Sequence, residues 1–482
     1  MFPRIVNMKS LLYINMIGCK RLENFPEIVG KMESLRGIDV SGTAIKEVPS
    51  SIGHGLFNLE DLSIYSCKNL TTLPPSIYEL SKLRRLALLF CPKLVLPPIP
   101  KKVEYCEVPT RPTPTSSSKI SHYGKATSSE GKSDYDGDYD DQGNLALFPS
   151  LKVFLAGGCC SSDRDFIVRL GCASTLTRLD ISGSNYVSLP AGLTKFINLE
   201  ELSLRGCNRL QEVLDLPPKL RVLDVSDCVS LERISKLTNI LKYKDSQMFE
   251  WLNLSNCRRL RDNLVQKAET KGLLVNYDHQ VEADLFSLFL SSQKSEFGVV
   301  FPASLEIPKW FSCQMDFKGN GQFEFDIQVL PNFKWENTGL ALCVATEGPY
   351  LGFQIFINEV LLPINNLNRH ICCKSAADSA HVWLLYIPFD RIDTSPFGHK
   401  RPLAPFQCRV SIYQTIYLGT VPLKSCGVHL VMPPNEECMK LSHAWNFRHS
   451  CTTEDDFQYK PWAYDSEWAN SPREEEPSWS QE

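Results

Sequence analysis

The stretch LEDLSIYSCKNLTTLP, residues 59–74, decides the fold of this chain. Its apolar residues follow the order L-x-x-L-x-L-x-x-C, with Ile64 in the third leucine position, and a Leu-Pro step follows. The L-x-L step directs two side chains to the same face of a short strand, and the chain turns away from the strand at the cysteine. One such unit cannot bury its own apolar edge, so the pattern predicts a stack of similar units.

The same pattern recurs along the chain at a nearly constant period. Leu11, Leu35, Leu59 and Leu83 are spaced 24 residues apart, and the pattern resumes in units that begin at Leu151, Leu176, Leu199, Leu220 and Phe249. A helical bundle is a poor alternative, because prolines recur at one phase of the repeat and would break helices. The sequence therefore predicts an α/β leucine-rich-repeat solenoid, with repeats 1–4 in residues 1–100 and repeats 5–9 in residues 149–262. The shared phase predicts one continuous stack.

Two segments interrupt or follow the repeats. Residues 101–148 are rich in Ser, Thr, Pro, Gly and Asp and hold few aliphatic residues, which predicts a disordered insert because such a segment cannot bury enough apolar surface. Residues 263–296 have helical character and are predicted to form a bridge. The last repeat presents an apolar edge that needs a cap, so we expect helix Leu264–Val275 and the domain beyond it to pack there.

The pattern of apolar and polar residues changes at residue 297. Phe323, Phe325, Ile327 and Val329 alternate with polar residues, as in a half-buried strand. Further short apolar runs occupy residues 339–345, 352–358, 381–387, 407–413 and 426–432. Short strands at this spacing predict an all-β jelly-roll or Ig-like sandwich over residues 297–450. Residues 451–482 carry nine acids against Lys460 and Arg473 and are predicted to be a disordered acidic tail.

Composition limits the classes of function. The net charge of −4 argues against a general nucleic-acid binder, which needs a basic surface. Of the 18 cysteines, seven occupy the recurring slot and are expected to be small buried groups: Cys19, Cys67, Cys91, Cys159, Cys207, Cys228 and Cys257. This usage favours a reducing compartment, cytoplasm or nucleus. No secretory signal and no run of 18 apolar residues is present, so no membrane span is expected.

The exposed strand positions of the solenoid are the candidate binding residues. Strands about 4.8 Å apart in nine repeats give a face about 40 Å long, enough for a protein partner. A polar face is also needed merely for solubility, but Tyr13, Tyr65 and Leu89 are harder to explain in that way, because interface cores are rich in such groups. The expected protein-binding residues are Tyr13, Asn15, Asp61, Ser63, Tyr65, Arg85, Leu89, Arg178, Asp180, Glu201 and Arg205.

Signals for metals, cofactors and catalysis are weak. The acidic run Asp134–Asp140 has Tyr139 and Leu145 where a calcium loop needs Gly and Glu. The set Cys438, His443, His449 and Cys451 matches no standard zinc spacing. No phosphate-binding G-x-x-x-x-G-K-[ST] loop and no G-x-S-x-G elbow is present. We therefore expect no catalytic residue, no cofactor and no metal, and a protein that is not an enzyme.

Several segments carry a resemblance to a known family. GTAIKEVPSSI, CKNLTTLPPSIYELSKLRRLAL and LNLSNCRRL in the repeats, and FPASLEIPKWFSCQ, HVWLLYIPF and LKSCGVHLVM beyond them, resemble plant intracellular TIR-NB-LRR resistance proteins. The likeness covers residues 8–100 and 149–432. It departs from the family at Pro302-Ala303, where Pro-Gly is usual, and nothing resembles the TIR or nucleotide-binding domains, so their activities are not carried over.

The resemblance implies a function in recognition. Repeats and post-repeat domain would bind a pathogen effector or a guarded host protein, and binding would relieve restraint on an N-terminal TIR/NB-ARC portion of the receptor. The alternative is a non-catalytic leucine-rich-repeat scaffold or autoinhibitory module that binds a host protein. The genomic sequence upstream of Met1 would discriminate between them, because a TIR and phosphate-loop reading frame there would establish the receptor role.

Overall fold

The structure is a computed structural model in which most of the repeats and the strands beyond them are described. The described residues are 5–6, 10–25, 28–97, 147–159, 167, 170, 172–235, 250–263, 296–302, 307, 311, 313–316, 321–329, 338–346, 352–362, 381–389, 395–397, 406–413, 423–431 and 447–453. Residues 101–146 of the predicted insert, 264–295 of the predicted bridge and 454–482 of the predicted tail lie outside them. So do the acidic run Asp134–Asp140 and two members of the zinc set, Cys438 and His443.

The repeat region is built from short strands. In chain order these are β1 (Ile5–Val6), β2 (Tyr13–Asn15), β3 (Ile28–Val29), β4 (Gly37–Asp39), β5 (Asp61–Ser63), β6 (Arg85–Ala87), β7 (Val153–Leu155), β8 (Arg178–Asp180), β9 (Glu201–Ser203), β10 (Glu212–Val213), β11 (Val222–Asp224), β12 (Arg233–Ile234) and β13 (Trp251–Asn253). The three-residue strands form one parallel sheet, and the pairs β1–β3 and β10–β12 lie apart from it.

The parallel sheet runs without a break across the predicted insert. Strand β6 pairs with β7 in register, with Leu86 opposite Phe154, just as Leu62 lies opposite Leu86 in the preceding pair. The middle residue of each strand is stacked on its counterpart, and from Ile38 onward these residues are buried. The prediction of one continuous solenoid is confirmed. Leu147 and Phe148, which we assigned to the insert, are instead buried in the solenoid core.

The slot cysteines connect one repeat to the next. The Sγ atoms of Cys91 and Cys257 donate to the backbone carbonyls of Ile64 and Val225 in the preceding repeats, each at 3.0 Å. Six of the seven predicted slot cysteines are buried, but Cys19 is exposed. The expectation was wrong for Cys19 because β2 is the edge strand of the described sheet, so no earlier repeat strand covers the thiol.

Helices contribute less than the α/β prediction implies. Among the described residues the helical segments are short: α1 (Ser51–Gly55), the 3₁₀ turns Pro75–Glu79, Ala191–Lys195 and Ser395–Phe397, and a segment at residues 258–263. Pro74 and Pro190 immediately precede two of these turns. Proline is tolerated at this position because no backbone N–H is needed there for a hydrogen bond. The solenoid is therefore sheet-rich with few helices.

The strands beyond the repeats form two sheets. They are β14 (Phe297–Pro302), β15 (Cys313–Asp316), β16 (Gly321–Val329), β17 (Gly339–Thr346), β18 (Gly352–Ile357), β19 (Val360–Leu361), β20 (His381–Pro388), β21 (Phe406–Tyr413), β22 (Leu423–Val431) and β23 (Phe447–Thr453). One sheet has the order β15-β22-β17-β20-β14 and the other β19-β18-β21-β16-β23, with antiparallel pairs throughout. Strand β23 runs three residues past the expected boundary at residue 450. We call residues 297–453 the β region.

The solenoid sheet continues directly into the β region. Strand β14 pairs in parallel with β13, the last repeat strand, with Leu252 opposite Val299, so repeats and β region share one 14-stranded sheet. Val299 faces the solenoid core, whereas Val300 faces a second core enclosed by the two sheets of the β region. The β region thus covers the apolar edge of the last repeat, as we expected for part of the predicted cap.

Candidate protein-binding face

The open face of the solenoid sheet is formed by the first and third residue of each strand and by the residue two positions later. We call this surface the concave face. The middle residues point into the core and are buried from Ile38 onward, because side chains alternate along a strand. The concave face contains the predicted binding residues, but it holds them in very different environments.

Tyr13 and Asn15 lie on the edge strand β2, separated by β4 from Asp61 and Ser63 in β5 and further from the remaining candidates. Tyr13 is 60% exposed, and its ring lies over Gly37 in the next repeat, where a Cβ atom would overlap it. The side-chain oxygen of Asn15 accepts a hydrogen bond from Ile17 N at 3.0 Å. These two residues are accessible but do not join the remaining candidates in one site.

Asp61, Ser63 and Arg85 form a local network. Arg85 Nη1 lies 3.5 Å from Asp61 Oδ2 and 2.9 Å from Ser63 Oγ, and Ser63 Oγ donates to Asp61 Oδ1 at 3.1 Å. Ser63 is only 5% exposed, so the expectation that it is exposed on the face was wrong: its hydroxyl bonds to both members of the ion pair. Burial raises the pKa of Asp61, although Arg85 opposes the shift.

Further along the face, charged residues are also paired. Arg178 Nε lies 3.1 Å from Glu201 Oε2, and Arg205 Nε lies 3.5 Å from Asp227 Oδ2. The pairs are part-exposed, so each contributes little to stability.

Aspartates at the third strand position have a structural task. Asp180 Oδ1 accepts the backbone N–H of Ser182 at 2.9 Å, and Asp224 does the same for Ser226. This is the Asx-turn geometry by which an aspartate stabilises a chain reversal. Burial raises the pKa of Asp224, opposed by hydrogen bonds from Ser226 and by Arg205. One carboxylate oxygen of Asp180 therefore stabilises the turn, in addition to any role of this residue on the concave face.

Tyr65 belongs to an aromatic pair that the sequence analysis missed. Its ring meets that of Phe90 edge to face, with centroids 5.4 Å apart and planes at 89°. Phe90 is 53% exposed, whereas the predicted neighbour Leu89 is half-buried. The repeat pattern contained a signal for this residue, because Phe90 occupies the position directly before the slot, which is glycine in five other repeats. These glycines are Gly18, Gly42, Gly158, Gly183 and Gly206.

The pair borders a depression of about 680 Å³ on the concave face. Its floor is made of small residues from the middle repeats, and Trp251 lies at its far end, beside the β region. We call this depression the groove. Of the predicted residues, it brings together Tyr65, Leu89, Arg178, Asp180, Glu201 and Arg205. It does not include Tyr13, Asn15, Asp61, Ser63 or Arg85.

In the described part of the chain, no group of three or more His, Cys, Asp or Glu residues is placed to hold a metal ion. The charged side chains of the groove lie in ion pairs or in turns. Within the described residues, no helix is long and apolar enough to cross a membrane.

The fold and its open sheet define a leucine-rich-repeat protein with an appended β region. A family model described as "Disease resistance protein RPS4B-like, leucine-rich repeats" matches residues 7–95 and 121–253. The repeats of this chain are similar to that family over the matched residues.

Similar proteins point to plant defence. The chain is 31% identical to the TMV resistance protein N of Nicotiana glutinosa over 238 residues, which cover 47% of this chain and 20% of that protein. It is 26% identical to disease resistance protein RPS4B of Arabidopsis thaliana over 406 residues, 80% of this chain and 29% of that protein. The chain thus spans less than a third of these relatives.

Among solved structures, the leucine-rich repeat domain of the type III effector XopL is similar to this chain. It is 22% identical, covers 50% of this chain and 67% of its own, and has a TM-score of 0.32.

Proposed function

We propose that this chain is the ligand-sensing region of a plant intracellular immune receptor. In this proposal it recognises a pathogen effector protein through the concave face together with a post-repeat domain of the jelly-roll/Ig-like type at residues 297–450. Binding relieves restraint on an N-terminal TIR/NB-ARC portion of the receptor, in the cytoplasm or nucleus. The chain acts as a binding module without catalysis or cofactor.

The observation that carries this proposal is the continuity of the concave face with the β region. Trp251, at the first position of the last repeat strand, is 2% exposed and belongs to the second core, where its ring lies 5.6 Å from that of Trp383. Val222, one strand earlier, packs against the same core. The concave side of the solenoid therefore becomes the interior of the β region, which rises at the end of the groove.

A fixed wall at the end of the groove supports recognition of a large partner. Two contact regions held in one rigid arrangement bind more tightly than tethered ones, because less conformational freedom is lost on association. The half-exposed ion pairs Arg178–Glu201 and Arg205–Asp227 can exchange partners, and such rim charges affect specificity and association rate more than affinity.

Cross-linking in plant tissue tests the proposal. The tagged chain is expressed in leaves with and without a pathogen, and cross-linked peptides are identified by mass spectrometry. Glu201→Lys reverses an acidic charge that lines the groove and pairs with Arg178. Glu232→Lys is the matched control, because Glu232 is part-exposed, pairs with Arg259 and does not line the groove.

We expect a pathogen-encoded protein to cross-link to the concave face of the wild type and of Glu232→Lys, and to be lost from Glu201→Lys. A host protein recovered equally from healthy tissue, with the same dependence on the variants, would favour the scaffold or autoinhibitory alternative. Cross-links that avoid the concave face and the β region in both tissues would contradict the proposal.

A further inference from the structure

One backbone position in every repeat is left-handed. The residue before the slot has positive φ in Gly18, Gly42, Ser66, Phe90, Gly158, Gly183, Gly206, Asp227 and Asn256. This conformation suits glycine, and asparagine and aspartate tolerate it, because a Cβ atom is crowded by the backbone there. Phe90, with φ of 57°, is the bulky exception, and a bulky residue in this region is strained.

The solenoid imposes the conformation whatever residue is present. Phe90 N donates to Gly157 O in the next repeat at 2.9 Å, just as Ser66 N donates to Leu89 O and Gly158 N to Ser182 O. Relaxing Phe90 to an extended conformation would break this hydrogen bond of the stack. The strain at Phe90 is therefore a consequence of placing phenylalanine where the repeat needs glycine.

Burial does not offset this strain. Phe90 is 53% exposed, and the ring contact that the structure gives it is with Tyr65, itself 36% exposed. Strained backbone residues cluster at ligand contacts and switch regions, so the strain and the exposure of Phe90 together point to contact with a partner.

The surroundings of the pair are shaped to receive a protruding segment. The next repeats place Gly157, Gly158, Ser182, Gly183 and Gly206 on the groove floor. A Cβ atom at Gly157 would lie 2.7 Å from Asp180 Oδ1 and 3.1 Å from Leu89 Cδ2, so a larger residue there would displace these side chains. The rings of Tyr65 and Phe90 thus border a stretch of small residues and rise above it.

The charges of the groove indicate which kind of protein segment would bind in it. Asp180, Glu201 and Asp224 line it against Arg178 and Arg205, and Arg205 is shared with Asp227 outside it. Asp180 also acts on Asp224 to raise its pKa, in addition to burial. The groove therefore carries an excess of acid, which complements a basic partner.

We infer that Phe90 is a specificity-determining contact residue kept at a conformational cost, and that with Tyr65 it receives an aliphatic side chain of a basic protein segment lying in the groove. This inference rests on the proposed function and names the chemistry of the partner: an apolar anchor flanked by lysine or arginine.

The first arm of the test measures stability without any partner. Phe90→Asn places at position 90 the residue that repeat 9 uses in Asn256, so we expect the melting temperature to rise by roughly 1–3 °C as strain is relieved. Phe90→Leu keeps the strain and should melt at the wild-type temperature. A lower melting temperature for Phe90→Asn would contradict the claim that phenylalanine strains the backbone at this position.

The second arm measures binding with defined probes. These are fluorescein-labelled decapeptides of alternating leucine and lysine, or leucine and glutamate, followed by anisotropy. We expect the lysine peptide to bind about tenfold tighter than the glutamate peptide. Phe90→Asn should weaken it by about fivefold or more, as for an interface anchor. Phe90→Leu, and Phe57→Ala outside the groove, should change binding less than twofold.

The outcomes separate this inference from the proposed function. Absent or equal binding of the two peptides, or binding indifferent to Phe90→Asn, overturns the inference. If a pathogen protein still cross-links to the concave face in that case, the proposed function stands and only the role of Phe90 falls. If cross-links avoid the face while the lysine peptide depends on Phe90, the groove is a basic-peptide site and the receptor role falls.

Discussion

The junction of the solenoid with the β region depends on one glycine. At Gly298, in β14, a Cβ atom would overlap the ring of Trp251 on the neighbouring strand and approach Leu385. Trp251 has no free space to move into, because it is 2% exposed and packs against Trp383. We therefore predict that Gly298→Ala destabilises the protein by about 1–3 kcal/mol, the usual cost of overpacking a filled core.

The destabilisation should be located at the junction. Urea unfolding measures its size, and limited proteolysis of the native protein measures its place: Gly298→Ala should speed cleavage between residues 262 and 296 and release solenoid and β region as separate pieces. Gly53→Ala is the matched control, because a Cβ atom at Gly53 would overlap the backbone of Ser76 in the early repeats, away from the β13–β14 pair. It should destabilise without speeding that cleavage.

A double-mutant cycle connects the effect to the proposed clash. Trp251→Leu leaves room beside residue 298, so it should cancel most of the effect of Gly298→Ala, with a coupling energy above about 1 kcal/mol. Effects that add independently, or a Gly298→Ala variant as stable as the wild type, would refute the reasoning. Rapid cleavage of the wild type into two folded pieces would refute a rigid junction altogether.

Three further predictions concern the solenoid. Leu204→Ala should cost about 2–5 kcal/mol in urea unfolding, because Leu204 is fully buried, whereas Arg205→Ala should cost under about 1 kcal/mol; equal costs would mean that the strand register is wrong. Asp224→Asn keeps the turn acceptor and removes a half-buried charge. The raised pKa of Asp224 makes the wild type lose stability as the pH rises above the ordinary pKa of an aspartate. The variant should therefore be more stable than the wild type at pH 7 by up to about 1 kcal/mol. This gain should vanish in urea titrations below the unfolded pKa of 3.8, and a gain at all pH values would contradict the mechanism. Iodoacetamide should modify exposed Cys19 far faster than Cys257, whose pKa is raised by burial; peptide mapping that finds equal rates would disprove the slot geometry.

Local pattern determined the repeats. The L-x-x-L-x-L-x-x-C order identifies each strand within a residue or two, because the alternation of a strand and the turn at the slot are properties of about ten consecutive residues. Leu62 and Leu204 are buried in the positions that this order predicts. The phase shared by Leu83 and Leu151 was enough to predict that β6 and β7 are neighbours, since each repeat can stack only on one like itself.

Exposure on the face was harder to predict. The pattern assigns Ser63 to the outside, but Asp61 and Arg85 from neighbouring positions close over its hydroxyl. It assigns Leu89 to the surface, but Phe90, one residue later, is the more exposed. Burial of a face residue depends on side chains one repeat away, which the pattern of its own repeat does not contain.

The sequence by itself determined that this is a repeat protein with a β-rich continuation, because both follow from short-range periodicity. Only the tertiary structure decided how the two are joined. The pairing of β13 with β14 connects strands separated by residues 254–296, and the room for Trp251 comes from Gly298 on the other side of that gap. Such a contact is set by the mutual fit of two surfaces, and no periodicity within either segment encodes it.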